Sequence, residues 1–392
     1  MPGFSSNDNM IAAMTAGQTF KSTWGKNFNP TAAAVANEYH TLFRGAGNPG
    51  ADAIFNTGTA LTFQPVEDST TNAGCIQHGG QVQSSNFYKF LASGSCVSAA
   101  ATVVPGVLIL VDVIGFYRVT AVTTTTAQAT TNTITTRTAT FTANDATDLC
   151  TYTSTASIPS NLLTGTRVRL TTTTTLPAGL ALATDYYLIK MTDSTFELAT
   201  SYANAVAGTQ IDITDAGTGT HTINWVLPRY TNGAGVNAIF FNPNATALGA
   251  GTPNLSLGYT NSVQATSRAT PTVLPVGKTA ASNSHILYTG ATGTGKYNYT
   301  VPLQAGDAGI AEINTIQNST SYVSGEYSVA LIKEIGRFPL STLGLSAERN
   351  FVFEMPSLPR IYDGAALYWL WGSGVATPAS SSFSGDLNFL WG

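Results

Sequence analysis

After Gly45 the sequence never sustains the three-and-four apolar spacing of a long helix. Short apolar or alternating runs are separated instead by Gly, Asn, Asp and Pro, the residues that turn a chain between strands. The clearest run is Val107-Leu108-Ile109-Leu110-Val111. It is apolar at every position, which predicts a strand buried on both faces, and Asp112 is expected to close it. Phe116–Thr120 resumes the pattern after Gly115. Further strands are expected at Ala238–Phe241, Leu255–Tyr259, His285–Tyr288, Tyr327–Ile332, Asn350–Glu354 and Ala366–Trp371. The chain is therefore read as mainly β, with a jelly-roll or β-sandwich host domain.

One short N-terminal helix interrupts this reading. Asn29 is a capping residue, Pro30 suits the first helical position, and Val35, Tyr39, Leu42 and Phe43 fall on one face of Thr31–Arg44 before Gly45 stops it. Residues 1–28 are rich in Gly, Ser and Asn and read as an arm ordered by neighbouring chains. Phe20 and Trp24 are its expected anchors, since large aromatics dominate interfaces. Arm and helix together make residues 1–50 the first unit.

Threonine, 60 residues in all, is far denser between Thr123 and Thr222 than elsewhere. Alternating runs at Arg167–Leu170, Tyr186–Ile189, Thr195–Leu198, Gln210–Ile213 and His221–Ile223 are separated by turns at Leu176–Gly179 and Asp215–Gly219. That pattern fits a small β-sandwich, residues 126–222, inserted in a host formed by residues 51–125 and 223–392. The alternative is one continuous β domain with a Thr-rich patch.

Only 10% of the residues are charged, against about 25% in an ordinary soluble domain. Such a surface must be covered by hydroxyls and amides, which suits a chain packed against other chains. A net charge of −4 with scattered basic residues gives no footprint for nucleic acid and no polybasic patch for a membrane. The most apolar run, Val103–Phe116, holds Pro105, Gly106, Asp112 and Gly115 and is too short to cross a bilayer. Met1–Ser6 lacks the basic and apolar regions of a secretory signal, so synthesis in the cytoplasm is expected.

No catalytic, metal or cofactor site is expected. Gly290-Ala291-Thr292-Gly293-Thr294-Gly295-Lys296 has phosphate-loop spacing, but Tyr297 stands where a Mg²⁺-binding hydroxyl is needed and no helix follows. His40, His78, His221 and His285 lie far apart with no ligand spacing among them. Asp212 and Asp215 are too few for Ca²⁺ and suit an Asx turn. Cys75, Cys96 and Cys150 read as buried small side chains, with a Cys75–Cys96 bridge left open. Aromatics crowd the C-terminal quarter. Trp369 and Trp371 share one strand face opposite Tyr368 and Leu370, and they serve either a core or a subunit contact. Trp391 needs cover in its own fold or a neighbour.

Two kinds of stretch resemble phage structural proteins. Leu176-Pro177-Ala178-Gly179-Leu180, Asp185–Ile189, Thr195–Ala199 and Gly217–Thr220 are similar to a small β module inserted in phage tail, fibre and head proteins. Arg44–Gly50, Leu227–Val236, Pro302–Ile310 and Pro356–Ala365 resemble a family of bacteriophage virion structural proteins. The resemblance implies a non-enzymatic virion component. A capsid decoration or cement protein is the first expectation, with the major capsid protein and further copies of itself as partners. Tail, collar or fibre-base proteins are the second, and a carbohydrate-binding receptor module facing a host-surface glycan is the third. A main shell protein would need a long spine helix, which the sequence lacks.

Overall fold

The structure is a computed structural model. It describes residues 4–28, 36–58, 60–68, 74–80, 87–99, 105–120, 131–133, 138–153, 164–230, 232–244, 248–249, 253–263, 268–270, 274–275, 286–287, 299–319, 322, 324–354, 358–377 and 381–392. The protein is mainly β, as the run-and-turn pattern predicts; the described residues form three open sheets and one closed barrel, all antiparallel in their pairings.

The central sheet runs in the order Val236–Phe241, Glu326–Leu340, Gly106–Thr120, Leu367–Ser373, Tyr39–Thr41. Its two long strands, Gly106–Thr120 and Glu326–Leu340, each hold 15 residues. Leu108 to Val111 are fully buried, so both faces of this strand are covered, as its unbroken apolar run requires. Asp112 does not end the strand, contrary to expectation. It is itself buried, and the strand continues to Thr120.

One face of the long strand carries two cores in series. Leu108 and Leu110 pack with Phe338, Trp369 and Trp371 against the outer sheet, whose order is Ala347–Asn350, Lys89–Ser98, Ser382–Trp391, Thr19–Asn27, Gly47–Asn48. Farther along, Ile114, Tyr117 and Val119 pack against Leu255, Leu257, Ile313 and Ile316 of a five-stranded sheet built on Asn254–Asn261 and Ile310–Asn318. Asp112 lies between the two cores. The other face, with Ile109, Val111 and Val113, is closed by Phe43, Phe55 and Val66.

Three local expectations are corrected. Within the expected helix Thr31–Arg44, residues 31–35 lie outside the described residues, and Tyr39–Thr41 is an edge strand pairing with Leu370–Gly372. The N-terminal helix is Asn7–Thr15, capped by the Ser6 side chain on the Asn9 amide. The segment 19–27 is no arm: Thr19–Asn27 is inserted in the outer sheet between Ser382–Trp391 and Gly47–Asn48. At the expected strand Asn350–Glu354, Asn350 ends a strand and Phe351–Glu354 is a single helical turn.

The Thr-rich segment contains a closed barrel in the order Arg167–Thr172, Tyr186–Lys190, Thr195–Ala199, Cys150–Tyr152, Thr138–Ala143, His221–Trp225. A barrel replaces the expected two-layer sandwich, and Gln210–Ile213 is irregular rather than a strand. Phe141, Leu170, Leu188, Phe196, Ile223 and Trp225 fill it. Its first and last strands pair, Asn224 opposite Thr138, so the two chain crossings sit side by side. Thr131–Thr133, within the same Thr-rich stretch, pairs instead with Ile310–Asn318 of the five-stranded sheet. Replacing residues 138–225 by a short Gly/Ser linker is therefore expected to leave the remaining sheets folded. A cooperative thermal transition by circular dichroism checks this, and its disappearance counts against it.

Candidate functional site

The most concentrated chemistry lies where the two cores meet. Asp112 projects from the long strand into this junction. Arg229 comes from the loop that leaves the barrel, and the two form a bidentate pair, Nε to Oδ2 at 2.8 Å and Nη2 to Oδ1 at 2.7 Å. Arg229 also donates to the carbonyls of Val66 and Val113, each at 2.9 Å, and Asp112 accepts from the Ala366 amide at 3.0 Å. Both side chains are nearly inaccessible, 3% for Arg229 and 0% for Asp112. Burial opposes the guanidinium charge, but Asp112 more than offsets this and holds it protonated. Glu67 is buried beside the pair, and burial, reinforced by Asp112, pushes its carboxyl up to about 7.

A second buried network adjoins it. The Lys89 ammonium donates to His78 Nδ1 at 3.0 Å, donates to the Gly80 carbonyl and pairs with Asp363 at 3.2 Å. His78 Nε2 faces the Ala365 carbonyl at 2.9 Å and Asp68 at 3.2 Å. Cys75 donates its thiol proton to Asp68. Burial, with Lys89 adding to it, drives His78 down to about 3, and burial pushes the Cys75 thiol well up. That is the reverse of an activated nucleophile, whose thiolate must be stabilised. Cys75, Cys96 and Cys150 are all free and buried.

Glu67 and His78 act oppositely on stability. Folded Glu67 keeps a proton that the unfolded chain releases near 4.5, so its contribution is full below pH 4.5 and is lost as pH rises towards about 7. Folded His78 refuses a proton that the unfolded chain takes near 6.5, so its contribution is full above pH 6.5 and is lost as pH falls towards about 3. Between pH 4.5 and 6.5 the two slopes cancel. Glu67→Gln should expose the histidine slope, with stability rising by roughly 1 kcal/mol per pH unit over that range. Urea midpoints measured across pH check this, and identical profiles for parent and variant contradict it.

Of the turn-rich segments Arg44–Gly50, Leu227–Val236, Pro302–Ile310 and Pro356–Ala365, the second and fourth meet at this junction. Arg229 and Tyr230 meet the segment around Tyr362, the two tyrosine rings lying 5.1 Å apart, and Gly364 lies against the Arg229 guanidinium. Leu227–Val236 and Pro302–Ile310 touch backbone to backbone: a Cβ on Gly309 would lie 2.0 Å from the Gly233 carbonyl oxygen, so neither position has room for a side chain. Arg44–Gly50 wraps Lys26, whose buried ammonium donates to the carbonyls of Gly45 and Gly50 at 3.1 and 2.6 Å. Burial lowers that lysine to about 8.

The expected interface aromatics separate into two groups. Trp24, Trp369 and Trp371 are core residues of this chain and are not offered to a partner. Trp24 stacks on Trp369 with centroids 4.6 Å apart, and Trp371 packs on Phe383 and donates to Thr377. Phe20 and Trp391 remain partly exposed. Near them, the N-terminal helix exposes Ile11 and Met14 at 55% and 50%.

Other sequence candidates are structural or lie elsewhere. Asp215 accepts from the Gly217 amide, an Asx turn. His221 bridges Thr172 and Ala216, and His40 is a buried strand residue against Phe28. His285 and the segment Gly290–Lys296 lie outside the described residues. Among the described residues, no group of three or more His, Cys, Asp and Glu is placed to hold a metal, and no helix is long and apolar enough to cross a membrane. Comparison with known proteins gives no match to any family model, curated protein or solved structure.

Proposed function

We propose that this chain is a structural, non-enzymatic component of a bacteriophage particle, a decoration or cement protein that holds neighbouring shell subunits together. What supports this reading is the resemblance of Arg44–Gly50, Leu227–Val236, Pro302–Ile310 and Pro356–Ala365 to virion proteins, and the place of these segments in the β framework, where Leu227–Val236 packs against both Pro302–Ile310 and Pro356–Ala365. The low charge adds to it, because a hydroxyl- and amide-covered surface suits a chain packed among many copies. The contact surface is the exposed apolar face of the N-terminal helix, Ile11 and Met14, beside the last strand, where Trp391 is partly exposed. Burial of each large apolar group there contributes about 1.5–3 kcal/mol, and repetition over a symmetric shell multiplies a modest contact.

The test is its position in the purified particle, by peptide mass spectrometry and antibody labelling in electron microscopy. Labelling over the head supports the proposal, labelling at the tail moves the chain to the second structural class, and absence from particles overturns it. In a binding assay with particles lacking the protein, Ile11→Asp with Met14→Asp should reduce occupancy at least tenfold, and unchanged occupancy removes this surface from the proposal.

A further inference from the structure

The solvent face of the outer sheet carries an ordered polar surface. Strand register places Glu348, Ser95, Asp386 and Thr23 in one row across four strands, and Asn350, Ser93, Asn388 and Lys21 in the next. The middle strand contributes only small side chains, Ser93 and Ser95, while its neighbours contribute long ones. The result is an open trough of about 500 Å³ with a serine floor, walled by Glu348 and Asn350 on one side and by Lys21, Asp386 and Asn388 on the other.

We propose that this trough binds a neutral oligosaccharide. Sugar hydroxyls are donors and acceptors in adjacent pairs. They are matched by flat groups that present two polar atoms side by side, as carboxamides, carboxylates and guanidinium do. Asn350, Asn388, Asp386 and Glu348 are such groups, brought from the two strands that flank the serine floor. The site is held in shape by its own bonds. Asn388 donates to Ser93 at 3.0 Å, Asp386 pairs with Lys21 at 3.1 Å and accepts from Thr23 at 2.6 Å, and the Asp386 amide donates to Ser95. Each serine oxygen serves there as an acceptor, which leaves its O–H as a donor for a ligand.

Charge selects the class of sugar. Lys21 faces Glu348 and Asp386, so the trough carries a slight net negative charge that disfavours an anionic polymer. The lining also lacks the apolar centre of a protein interface. The inference goes beyond the structural role and does not depend on it, because the isolated protein suffices for the test.

The experiment titrates the full chain with maltohexaose, cellohexaose and chitohexaose by calorimetry and NMR, with heparin as the anionic arm. Binding to at least one neutral hexasaccharide is expected. Ser95→Leu, which fills the floor, and Asn388→Ala, which removes a wall, should each weaken it about tenfold with no change in melting temperature. Thr142→Ala on the barrel should leave it unchanged. Four results overturn the proposal: no binding to any neutral sugar, tighter binding to heparin, equal binding by both trough variants, or self-association of the parent that Ser95→Leu abolishes. In the last case the face belongs to a second copy of the chain.

Discussion

Asp112→Leu is expected to destabilise the protein by about 3–5 kcal/mol, the range for removing one partner of a buried ion pair. Asp112 and Arg229 form a bidentate pair inside the junction of two apolar cores. Without the carboxylate, the guanidinium keeps the Val66 and Val113 carbonyls but loses its counter-charge, and the Ala366 amide loses its acceptor. Glu67 then becomes the nearest source of negative charge, and the cation should draw its pKa down towards the ordinary carboxylate range. The double variant Asp112→Leu with Arg229→Met should recover most of the loss, because apolar replacements of a whole buried pair are often neutral or better. Denaturant midpoints for the two single variants and the double variant close the cycle. A cost below about 1 kcal/mol for Asp112→Leu would show that the pair does not hold the junction.

Removal of residues 1–28 is expected to abolish cooperative folding. Thr19–Asn27 is an internal strand of the outer sheet, with partners on both sides. It places Trp24 in the main core, Phe28 follows it there, and Lys26 holds the Arg44–Gly50 segment. Trp24→Ala alone should cost about 3–5 kcal/mol. A domain is usually stable by only about 5–15 kcal/mol, so loss of the whole strand with its tryptophan and phenylalanine exceeds what the fold can absorb. Near-ultraviolet circular dichroism reports the packed tryptophans directly. A truncated protein that keeps that signal and a sharp melt would return residues 1–28 to the status of an arm.

The β class was legible because short apolar runs and turn residues are local signals. Non-local pairing was not. Tyr39, Leu42 and Phe43 satisfied a helical spacing, yet Tyr39–Thr41 is fixed as a strand by partners more than 300 residues away. The N-terminal strand does alternate, with Ser22, Trp24 and Lys26 inward, but the two polar members disguised it. From sequence alone Asp112 reads as a terminator, because charges usually end buried strands. In a chain with so few charges, an acidic residue between Val111 and Val113 signals a buried partner, although nothing in the sequence says that the partner is Arg229, 117 residues on. The trough was invisible for the same reason: its serines, amides and charges come from four strands dispersed along the chain.

The pairing of Thr19–Asn27 with Ser382–Trp391 also sets the timing of folding. Thr19 lies opposite Leu390, so a strand made first waits for a partner made some 370 residues later. At about 5–20 residues per second, that interval lasts roughly twenty seconds to over a minute. Until the C-terminal strand leaves the ribosome, the apolar side of the N-terminal strand lacks its main sheet neighbour. An unpaired strand edge with an uncovered tryptophan is a site for aggregation, and such distant pairing is intrinsically slow. Slowing translation between the codons of these two strands should therefore lower the soluble yield, and a chaperone that shields Thr19–Asn27 should restore it.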